Sequence, residues 1–320
     1  MTPEFALIER YFTRPARKAL LGVGDDCALV QTPPGTALAI TTDMLVCGTH
    51  FLPDTDPRLL GHKSLAVNLS DLAAMGAAPE WFTLSLSLPA IDDEWLSAFS
   101  DGLLTLADMY GIELIGGDTT RGPLTISVTA AGAVIAAQAL RRDGASVNED
   151  VWVSGTTGDA ALGLAHLQGR VALDADAQRH CIERLHRPQP RIELGKALRG
   201  IATSAADVSD GLLADLGHIL ERSGMSAEVQ FDLLPRSTPL QSCADQALAA
   251  ACLIGGGDDY ELVFTAPAER RDAVSAAGAA AGVPVTRIGC IVAGAPRAQL
   301  LDAAGRPMAA GPAGFDHFTA

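Results

Sequence analysis

Strand-like and helix-like patterns alternate along both halves of this chain, and that mixture limits its possible folds more than any other feature of the sequence. Apolar and polar residues alternate over 81–88, which predicts a strand, whereas apolar residues recur at helical spacing over 95–110. A polar, loop-like stretch at 141–150 separates two such halves in a chain of 320 residues, which is more than a single small core usually organises. We therefore predict an α+β protein with two mixed α/β domains, residues 1–140 and 141–320.

Capping and stop signals delimit the predicted elements. Asp56 and Asp92 precede helical patterns as N-caps, and Gly76 and Gly111 follow the same patterns as stop signals. In the first half, the predicted helices are 3–13, 57–75 and the segment between Asp92 and Gly111, and the predicted strands are 37–42, 81–88, 112–115 and an alternating region after Pro123. In the second half, the predicted helices are 158–169, 175–186, 191–203, 211–223 and 269–281, and the predicted strands are 151–154, a segment leading into DVSDG, 260–264 and 285–292.

Acidic residues stand beside glycine or directly after apolar strands in six places. A single aspartate in such a position is more commonly a helix cap or a turn residue, but six clusters favour a common site. The clusters are GVGDD with Asp25 and Asp26, ITTD with Thr41, Thr42 and Asp43, NLSDLAAMG with Asp71, LIGGDTT with Asp118, DVSDG with Asp207 and Asp210, and GGGDDYEL with Asp258, Asp259 and Glu261.

Converging carboxylates repel one another unless cations lie among them. Oxygen ligands with neighbouring threonine hydroxyls suit Mg²⁺, which usually keeps several waters and shares its coordination with substrate phosphates. The pattern therefore indicates a nucleoside triphosphate as ligand. Glycine pairs such as Gly116 and Gly117 would let main-chain N–H groups face phosphate oxygens. Neither a P-loop nor protein-kinase motifs occur, so metals rather than a P-loop lysine would neutralise the phosphates.

Charge and cysteine usage exclude several other classes of protein. The chain has 38 acidic and 23 basic residues, a net charge of −15, whereas nucleic acid and anionic membranes both require a basic surface. Its six cysteines are scattered without a CxxC pair, which predicts reduced thiols. Glu4 and Glu9 interrupt the apolar N-terminal pattern, and Pro123 and Gly132 interrupt the uncharged stretch 122–140. We expect a cytoplasmic protein with no export signal and no membrane span.

The order of the motifs resembles that of the thiamine-monophosphate kinase family, part of the aminoimidazole ribonucleotide synthetase superfamily. The matching motifs are GVGDDCALV, ITTDMLVCGTHF, KSLAVNLSDLAAMGA, LIGGDTTRGP, DVSDGLLADLGHIL, GGDDYELVF and GFDHF, and they span almost the whole chain. The resemblance implies phosphorylation of thiamine monophosphate to the diphosphate, with Mg²⁺ and with ATP as co-substrate. It also implies that residues 1–140 bind ATP and Mg²⁺ and pair their sheet with that of a partner in a homodimer, and that residues 141–320 complete the nucleotide and substrate sites.

The resemblance also implies roles for individual residues. The implied Mg²⁺ ligands are Asp26, Thr41, Thr42, Asp43, Asp71, Asp118, Asp207 and Asp210, of which Asp43, Asp71, Asp118 and Asp207 would serve catalysis. The implied ATP contacts are Tyr110, Gly117, Asp118, Arg142 and Ser209, and the implied contacts to thiamine phosphate are His50, Asp258 and Phe315. The family usually has GGED where this chain has Gly256-Gly257-Asp258-Asp259, so Asp258 replaces a longer glutamate.

Structural alternatives stay open for several of these residues. His50 beside Phe51 could be a structural histidine, Tyr110 could belong to the core, and Arg142 could be a solvated loop residue. Asp71 is the strongest candidate, because it shares a face of an apolar helix with Asn68 and would be costly there without a cation. Two other functions also remain open: the ring-closing reaction of aminoimidazole ribonucleotide synthesis, and a non-catalytic acidic metal-binding protein.

Overall fold

The computed structural model describes residues 3–309 and Gly314, and the chain divides into two compact units. The N-terminal unit comprises Met1–Leu72 and Ala77–Ala137, and the C-terminal unit comprises Ala73–Gly76 and Gln138–Ala320. Both units combine a sheet with helices, so the predicted fold class of two mixed α/β domains is confirmed. Among the described residues, no helix is both long enough and apolar enough to cross a membrane.

A four-stranded sheet with helices forms the N-terminal unit. The sheet order is β1-β4-β2-β3, with β1 and β3 at its edges; β2 and β3 are parallel and the other pairs are antiparallel. Its elements are α1 (Pro3–Tyr11), β1 (Ala37–Val46), α2 (Pro57–Ala74), β2 (Ala78–Leu88), α3 (Asp93–Tyr110), β3 (Glu113–Arg121) and β4 (Thr125–Val134).

The ends of α3 are set by the residues that the sequence indicates. The Asp92 side chain accepts hydrogen bonds from the backbone N–H groups of Glu94 and Trp95, each 3.0 Å long. Gly111 ends the helix in the left-handed conformation, with φ of 61°. Helices α2 and α3 come into close contact through Gly61 and Gly102, where a Cβ would overlap the backbone of the other helix.

Two predicted strands continue further than expected. Strand β1 was expected to end at Thr42, but it pairs with β4 through Val46, so Asp43 lies within the strand. Strand β3 was expected to end at residue 115, but it pairs with β2 through Arg121, which places Asp118 inside the strand as well. Pairing with a neighbouring strand thus overrides the low strand propensity of Asp43 in β1 and of Gly116, Gly117 and Asp118 in β3.

A six-stranded sheet in the order β10-β7-β9-β5-β8-β6 forms the C-terminal unit. Its strands are β5 (Asp150–Ser154), β6 (Ser204–Val208), β7 (Ser226–Gln230), β8 (Glu261–Ala266), β9 (Val285–Val292) and β10 (Arg297–Leu301), and its helices are α4 (Asp159–Leu167), α5 (Ala175–His186), α6 (Ile192–Ala197), α7 (Leu212–Ser223), α8 (Thr238–Ser242), α9 (Gln246–Gly255) and α10 (Arg271–Ala281). Strands β5, β6 and β8 are buried along their whole length, as expected for a sheet covered on both faces.

Sequence patterns missed several elements of the C-terminal unit. The prediction of a helix over 191–203 was too long, because α6 ends at Ala197 and the chain turns before β6. Strands β7 and β10 and helices α8 and α9 were not predicted. β7 and β10 are short strands that pair in parallel with each other, so their main stabilisation comes from partners distant in the sequence.

Candidate active site

Thr41 and Asp71 form the centre of the candidate site in the N-terminal unit. The Thr41 hydroxyl on β1 donates a hydrogen bond to Asp71 Oδ2 on α2, and both residues are partly exposed. Asp43 lies two residues along β1 and therefore faces the same side of the strand as Thr41. The structure thus brings hydroxyl and carboxylate oxygens of these three residues to one side of the sheet.

Thr42 and Asp118 occupy other positions of this sheet. The Thr42 hydroxyl lies 2.8 Å from that of Thr129 on β4, and Thr42 is exposed on the side of β1 opposite to Thr41. Asp118 is exposed on β3, where it is paired with Ser85. Gly117 is paired with Leu84, and a Cβ at Gly117 would overlap the Leu84 carbonyl. The glycine is therefore required by strand packing even without a nucleotide.

The remaining candidates of the N-terminal unit lie at loops and helix ends. His50 lies in a turn between β1 and α2, where its Nδ1 accepts a hydrogen bond from the Val46 N–H at 3.0 Å. A neutral His50 then carries its proton on Nε2. Tyr110 is the last residue of α3 and is partly exposed. Asp26 is exposed, and its N–H donates to Asp25 Oδ1 at 2.9 Å.

In the C-terminal unit, the DVSDG motif connects β6 to α7. Asp207 is buried at the end of β6, with 4% of its surface exposed, whereas Ser209 and Asp210 are partly exposed in the following loop. The backbone N–H groups of Ser209, Asp210 and Gly211 all donate to Asp215 Oδ2 in the first turn of α7. Burial raises the pKa of Asp215 to about 6 despite these hydrogen bonds.

The GGGDD loop contacts the DVSDG loop directly. The Asp258 N–H donates to the Ser209 carbonyl and the Tyr260 N–H donates to the Val208 carbonyl, each at 2.8 Å. Asp258 and Tyr260 adopt left-handed backbone conformations, with φ of 69° and 52°, and the Tyr260 hydroxyl donates to Asp258 Oδ1 at 3.0 Å. Non-glycine residues in this region are strained, and such strain concentrates at ligand sites.

Two arginines that the sequence did not indicate lie beneath this loop. Glu261, fully buried on β8, accepts hydrogen bonds from Arg184 at 2.8 Å, from Arg191 Nε at 2.7 Å and from the Ser154 hydroxyl at 2.6 Å. Burial opposes the charged form of Glu261, but Arg191 and Arg184 hold its pKa below the ordinary value. Arg184 also approaches the carbonyl of Asp259 at 3.4 Å. This ion cluster therefore supports the loop that carries Asp258.

Asp259, the last residue of the GGGDD loop, is a second buried carboxyl group, and its pKa is shifted in the direction opposite to that of Glu261. It is 1% exposed, and its Oδ2 accepts a hydrogen bond from the Gly158 N–H at 2.7 Å. Within the described part of the chain, its Oδ1 has no hydrogen-bond partner. Burial raises the pKa of Asp259 well above its usual value, whereas Arg184 acts in the opposite direction. Asp259 is thus suited to a neutral, structural role.

Arg142 and the C-terminal tail complete the set of predicted residues. Arg142 is exposed, and its carbonyl accepts a hydrogen bond from the Ser223 hydroxyl at 2.9 Å. Phe315 lies outside the described residues. Its neighbour Gly314 has φ of 87°, and a Cβ there would lie 2.9 Å from the Asp210 carbonyl oxygen and 2.6 Å from Ala214 Cβ. Gly314 therefore lies close to the DVSDG loop.

The candidate metal ligands are oxygen donors, but they do not form a ready-made cage. Across the described residues, no group of three or more His, Cys, Asp or Glu side chains is arranged to hold a metal ion. Mg²⁺ commonly binds through one or two carboxylates while waters and substrate phosphates complete its shell. The paired oxygens of Thr41 and Asp71 fit that mode of binding, and ligation by the larger set stays a prediction.

Comparisons with known proteins decide the family. Residues 24–134 match the N-terminal domain and residues 147–300 the C-terminal domain of the AIR synthase related protein family. The thiamine-monophosphate kinases of Salmonella typhimurium and Escherichia coli are each 48% identical to this chain over 319 residues, which are 98% of this chain and 98% of the relative. The chain belongs to the thiamine-monophosphate kinase family. The resemblance noted in the sequence and the predicted enzyme class, a phosphotransferase, are therefore confirmed.

Solved structures of this family have the same fold. The thiamine-monophosphate kinase of Stenotrophomonas maltophilia is 49% identical, with a TM-score of 0.83, over 92% of this chain and 93% of that one. A structure described as AaThiL complexed with AMPPCP and TMP is 31% identical, with a TM-score of 0.79, over 90% of this chain and 89% of that one. The hydrogenase maturation protein HypE, at 22% identity and a TM-score of 0.78, shares the fold alone.

Proposed function

We propose that this protein transfers the terminal phosphoryl group of ATP to the phosphate of thiamine monophosphate and so produces thiamine diphosphate and ADP. The observation that carries the proposal is the 48% identity to thiamine-monophosphate kinases over 98% of the chain. A second support is the 31% identical relative whose structure is described as a complex with AMPPCP and TMP. An ATP analogue and the acceptor of that reaction are thus both ligands of a relative with the same fold.

The proposed contacts to Mg²⁺ and ATP are the residues that the family motifs indicate. Asp43, Asp71, Asp118 and Asp207 would hold Mg²⁺ as catalytic carboxylates. The further proposed Mg²⁺ ligands are Asp26, Thr41, Thr42 and Asp210, and the proposed ATP contacts are Tyr110, Gly117, Asp118, Arg142 and Ser209. Mg²⁺ bound to the ATP phosphates would neutralise the charge that develops on them during transfer.

The acceptor chemistry requires little from the protein beyond placement. The attacking oxygen of thiamine monophosphate belongs to an ionised phosphate, so no strong general base has to remove a proton from it. His50, Asp258 and Phe315 are the proposed contacts to this substrate. The Tyr260 hydroxyl and the strained backbone fix Asp258 in one position, which suits a carboxylate that faces the cationic thiazolium.

Product analysis tests the function directly. The purified protein should convert thiamine monophosphate to a product that is heavier by one phosphoryl group, with ADP formed in equal amount, and omission of Mg²⁺ should abolish the conversion. Initial-rate data should give intersecting double-reciprocal lines, because direct transfer needs both substrates bound together. ATP consumption with no phosphorylated thiamine product would contradict the proposal. So would parallel lines together with a phosphorylated protein.

We also propose that the protein works as a homodimer that pairs through the N-terminal sheet. Strand β1 is ten residues long and lies at one edge of that sheet. Ile40 and Met44 project from it to the same side, and 61% and 56% of their respective surfaces are exposed. A long edge strand with exposed apolar side chains is a surface that a second copy can cover.

A further inference from the structure

The loop of the DVSDG motif presents three consecutive backbone N–H groups to a single acceptor. Those of Ser209, Asp210 and Gly211 lie 3.0, 3.0 and 3.1 Å from Asp215 Oδ2. Successive N–H groups that point to one centre form a concavity of the kind that binds phosphate. In this protein the Asp215 carboxylate fills that concavity, and only 3% of Asp215 is exposed. The main chain of the loop therefore has no N–H group left to cradle a phosphate there.

The Ser209 carbonyl also makes its contacts within the protein. It accepts a hydrogen bond from the Asp258 N–H at 2.8 Å, and a Cβ added at Gly257 would overlap it. A phosphate oxygen accepts hydrogen bonds and so requires a donor from the protein. The hydroxyl is the donor that Ser209 retains for a ligand.

We propose that Asp215 is a positioning residue of the nucleotide site, which fixes the DVSDG loop so that Ser209 offers its hydroxyl, and Asp210 its carboxylate, to Mg-ATP. This inference rests on the proposed function. Asp215 lies in the first turn of α7, five residues after Asp210, and its Oδ2 holds the main-chain N–H groups of the loop. Asp215 thus acts through Ser209 and Asp210 rather than on the nucleotide itself.

A double-mutant cycle tests the proposal. Binding of AMPPCP with Mg²⁺ is measured for wild type, Asp215→Asn, Ser209→Ala and the double variant, together with the melting temperature of each. Ser209→Ala should weaken binding about tenfold, as expected for loss of a hydrogen bond to a charged group. Asp215→Asn should weaken it about 10- to 100-fold, because a neutral amide oxygen weakens all three of the charge-assisted hydrogen bonds that fix the loop. The double variant should bind AMPPCP with about the affinity of the single variant that binds it more weakly, because Asp215 acts through Ser209 and the two losses are not additive.

Glu149→Gln is the matched control. Glu149 is also buried in the C-terminal unit, with 6% exposed, and accepts hydrogen bonds from the Ser146 N–H and the Thr203 hydroxyl. This variant should lower the melting temperature by an amount similar to Asp215→Asn and leave AMPPCP affinity unchanged. A merely structural Asp215 would behave like Glu149. Additive losses in the cycle, or unchanged affinity in a folded Asp215→Asn variant, would overturn the proposal.

Substitutions of Ser209 alone test the role of its hydroxyl if the Asp215 variants do not fold. Ser209→Thr keeps a hydroxyl and should bind AMPPCP within about threefold of wild type, whereas Ser209→Ala should not. Equal affinity of the Thr and Ala variants would overturn the assignment of the hydroxyl. Turnover of thiamine monophosphate by the wild-type protein is measured first. Its absence would contradict the proposed function, whereas binding of AMPPCP without turnover would still let the cycle test Asp215.

Discussion

At the scale of single residues, carboxylates serve two physically different purposes in this chain. Asp71 and Asp207 belong to motifs whose spacing in the sequence already indicated a site. Glu113 and Asp215 instead each accept hydrogen bonds from three successive backbone N–H groups. The loop that donates to Glu113 is distant in the sequence, and the loop that donates to Asp215 is a neighbour. Motif spacing predicts Asp71 and Asp207, because their chemistry depends on residue type. The role of Glu113 and Asp215 depends on which loop folds over the side chain, and the sequence alone does not show that.

Asp71→Asn should lower kcat by about 100- to 1000-fold, the range for loss of one preorganised electrostatic group. Asparagine keeps the shape of the side chain and an oxygen that can accept the Thr41 hydroxyl, but it removes the negative charge. Steady-state kinetics at limiting Mg²⁺ measure the effect, with a melting curve to establish folding. Asp56→Asn, at the start of the same helix, is the control, because asparagine caps a helix as well as aspartate does. A folded Asp71→Asn variant with wild-type turnover would remove Asp71 from the metal site.

Glu113 should make the fold sensitive to acid. Its carboxylate accepts N–H groups of Arg17, Lys18 and Ala19; burial opposes the charge, but these bonds hold the pKa of Glu113 below its ordinary value. A lowered pKa in the folded state means that the stabilisation is present above pH 4.5 and is lost as the pH falls below it. Melting temperatures from pH 3 to pH 7, about the span of this titration, should fall less steeply for Glu113→Gln than for wild type. Equal slopes would contradict the assignment.

At the scale of elements, the ends of α3 were more predictable than the lengths of strands β1 and β3. Asp92 and Gly111 delimit α3 through local hydrogen bonds and a left-handed backbone, both of which are properties of those residues themselves. Strands β1 and β3 run past their predicted ends because β4 and β2 pair with them along the whole length. The extent of a strand is set by its partners, and those lie far away in the sequence.

Gly102→Ala should destabilise the protein by about 1 to 3 kcal/mol, because the added methyl group would overlap the Arg58 carbonyl where α3 meets α2. Gly217→Ala in α7 is the matched control. Nothing lies within 4 Å of a Cβ at Gly217, so alanine there should stabilise the helix by about 0.5 to 1 kcal/mol. Urea unfolding measures both changes. Equal effects of the two substitutions would show that the α2 and α3 contact is looser than described.

At the scale of the whole molecule, the family motifs are spread over both units. Those from Asp26 to Asp118 belong to the N-terminal unit, and those from Asp207 onwards belong to the C-terminal unit. The order of motifs predicted the family, and the mixture of strand and helix patterns predicted two mixed α/β domains. It could not reveal that Ala73–Gly76 belongs with the C-terminal unit. There Gly195 of α6 approaches the Ala73 carbonyl and the Leu140 N–H donates to the Met75 carbonyl at 3.1 Å.

The oligomeric state tests the role of the N-terminal sheet edge. Light scattering should give the mass of two chains for wild type, and a charge on the exposed side of β1, as in Ile40→Asp or Met44→Asp, should shift the protein towards one chain. Met109→Asp is the control, because Met109 is 66% exposed but lies near the end of α3 and not in the sheet. A monomeric wild type, or equal dissociation in all three variants, would contradict pairing through β1.

The three amide groups that donate to Asp215 should slow the opening of the DVSDG loop. A hydrogen-bonded amide exchanges its hydrogen with solvent only when the bond opens. Loop amides usually exchange quickly, because most of them lack a stable hydrogen bond. Those of residues 209–211 should instead exchange as slowly as the amides of β6, although none of the strands described above pairs with them. Deuterium uptake of peptides spanning this loop would measure the protection, and Asp215→Asn should speed exchange at these three positions while β6 stays protected. A loop that is chemically polar would thus share the slow opening of the sheet beside it.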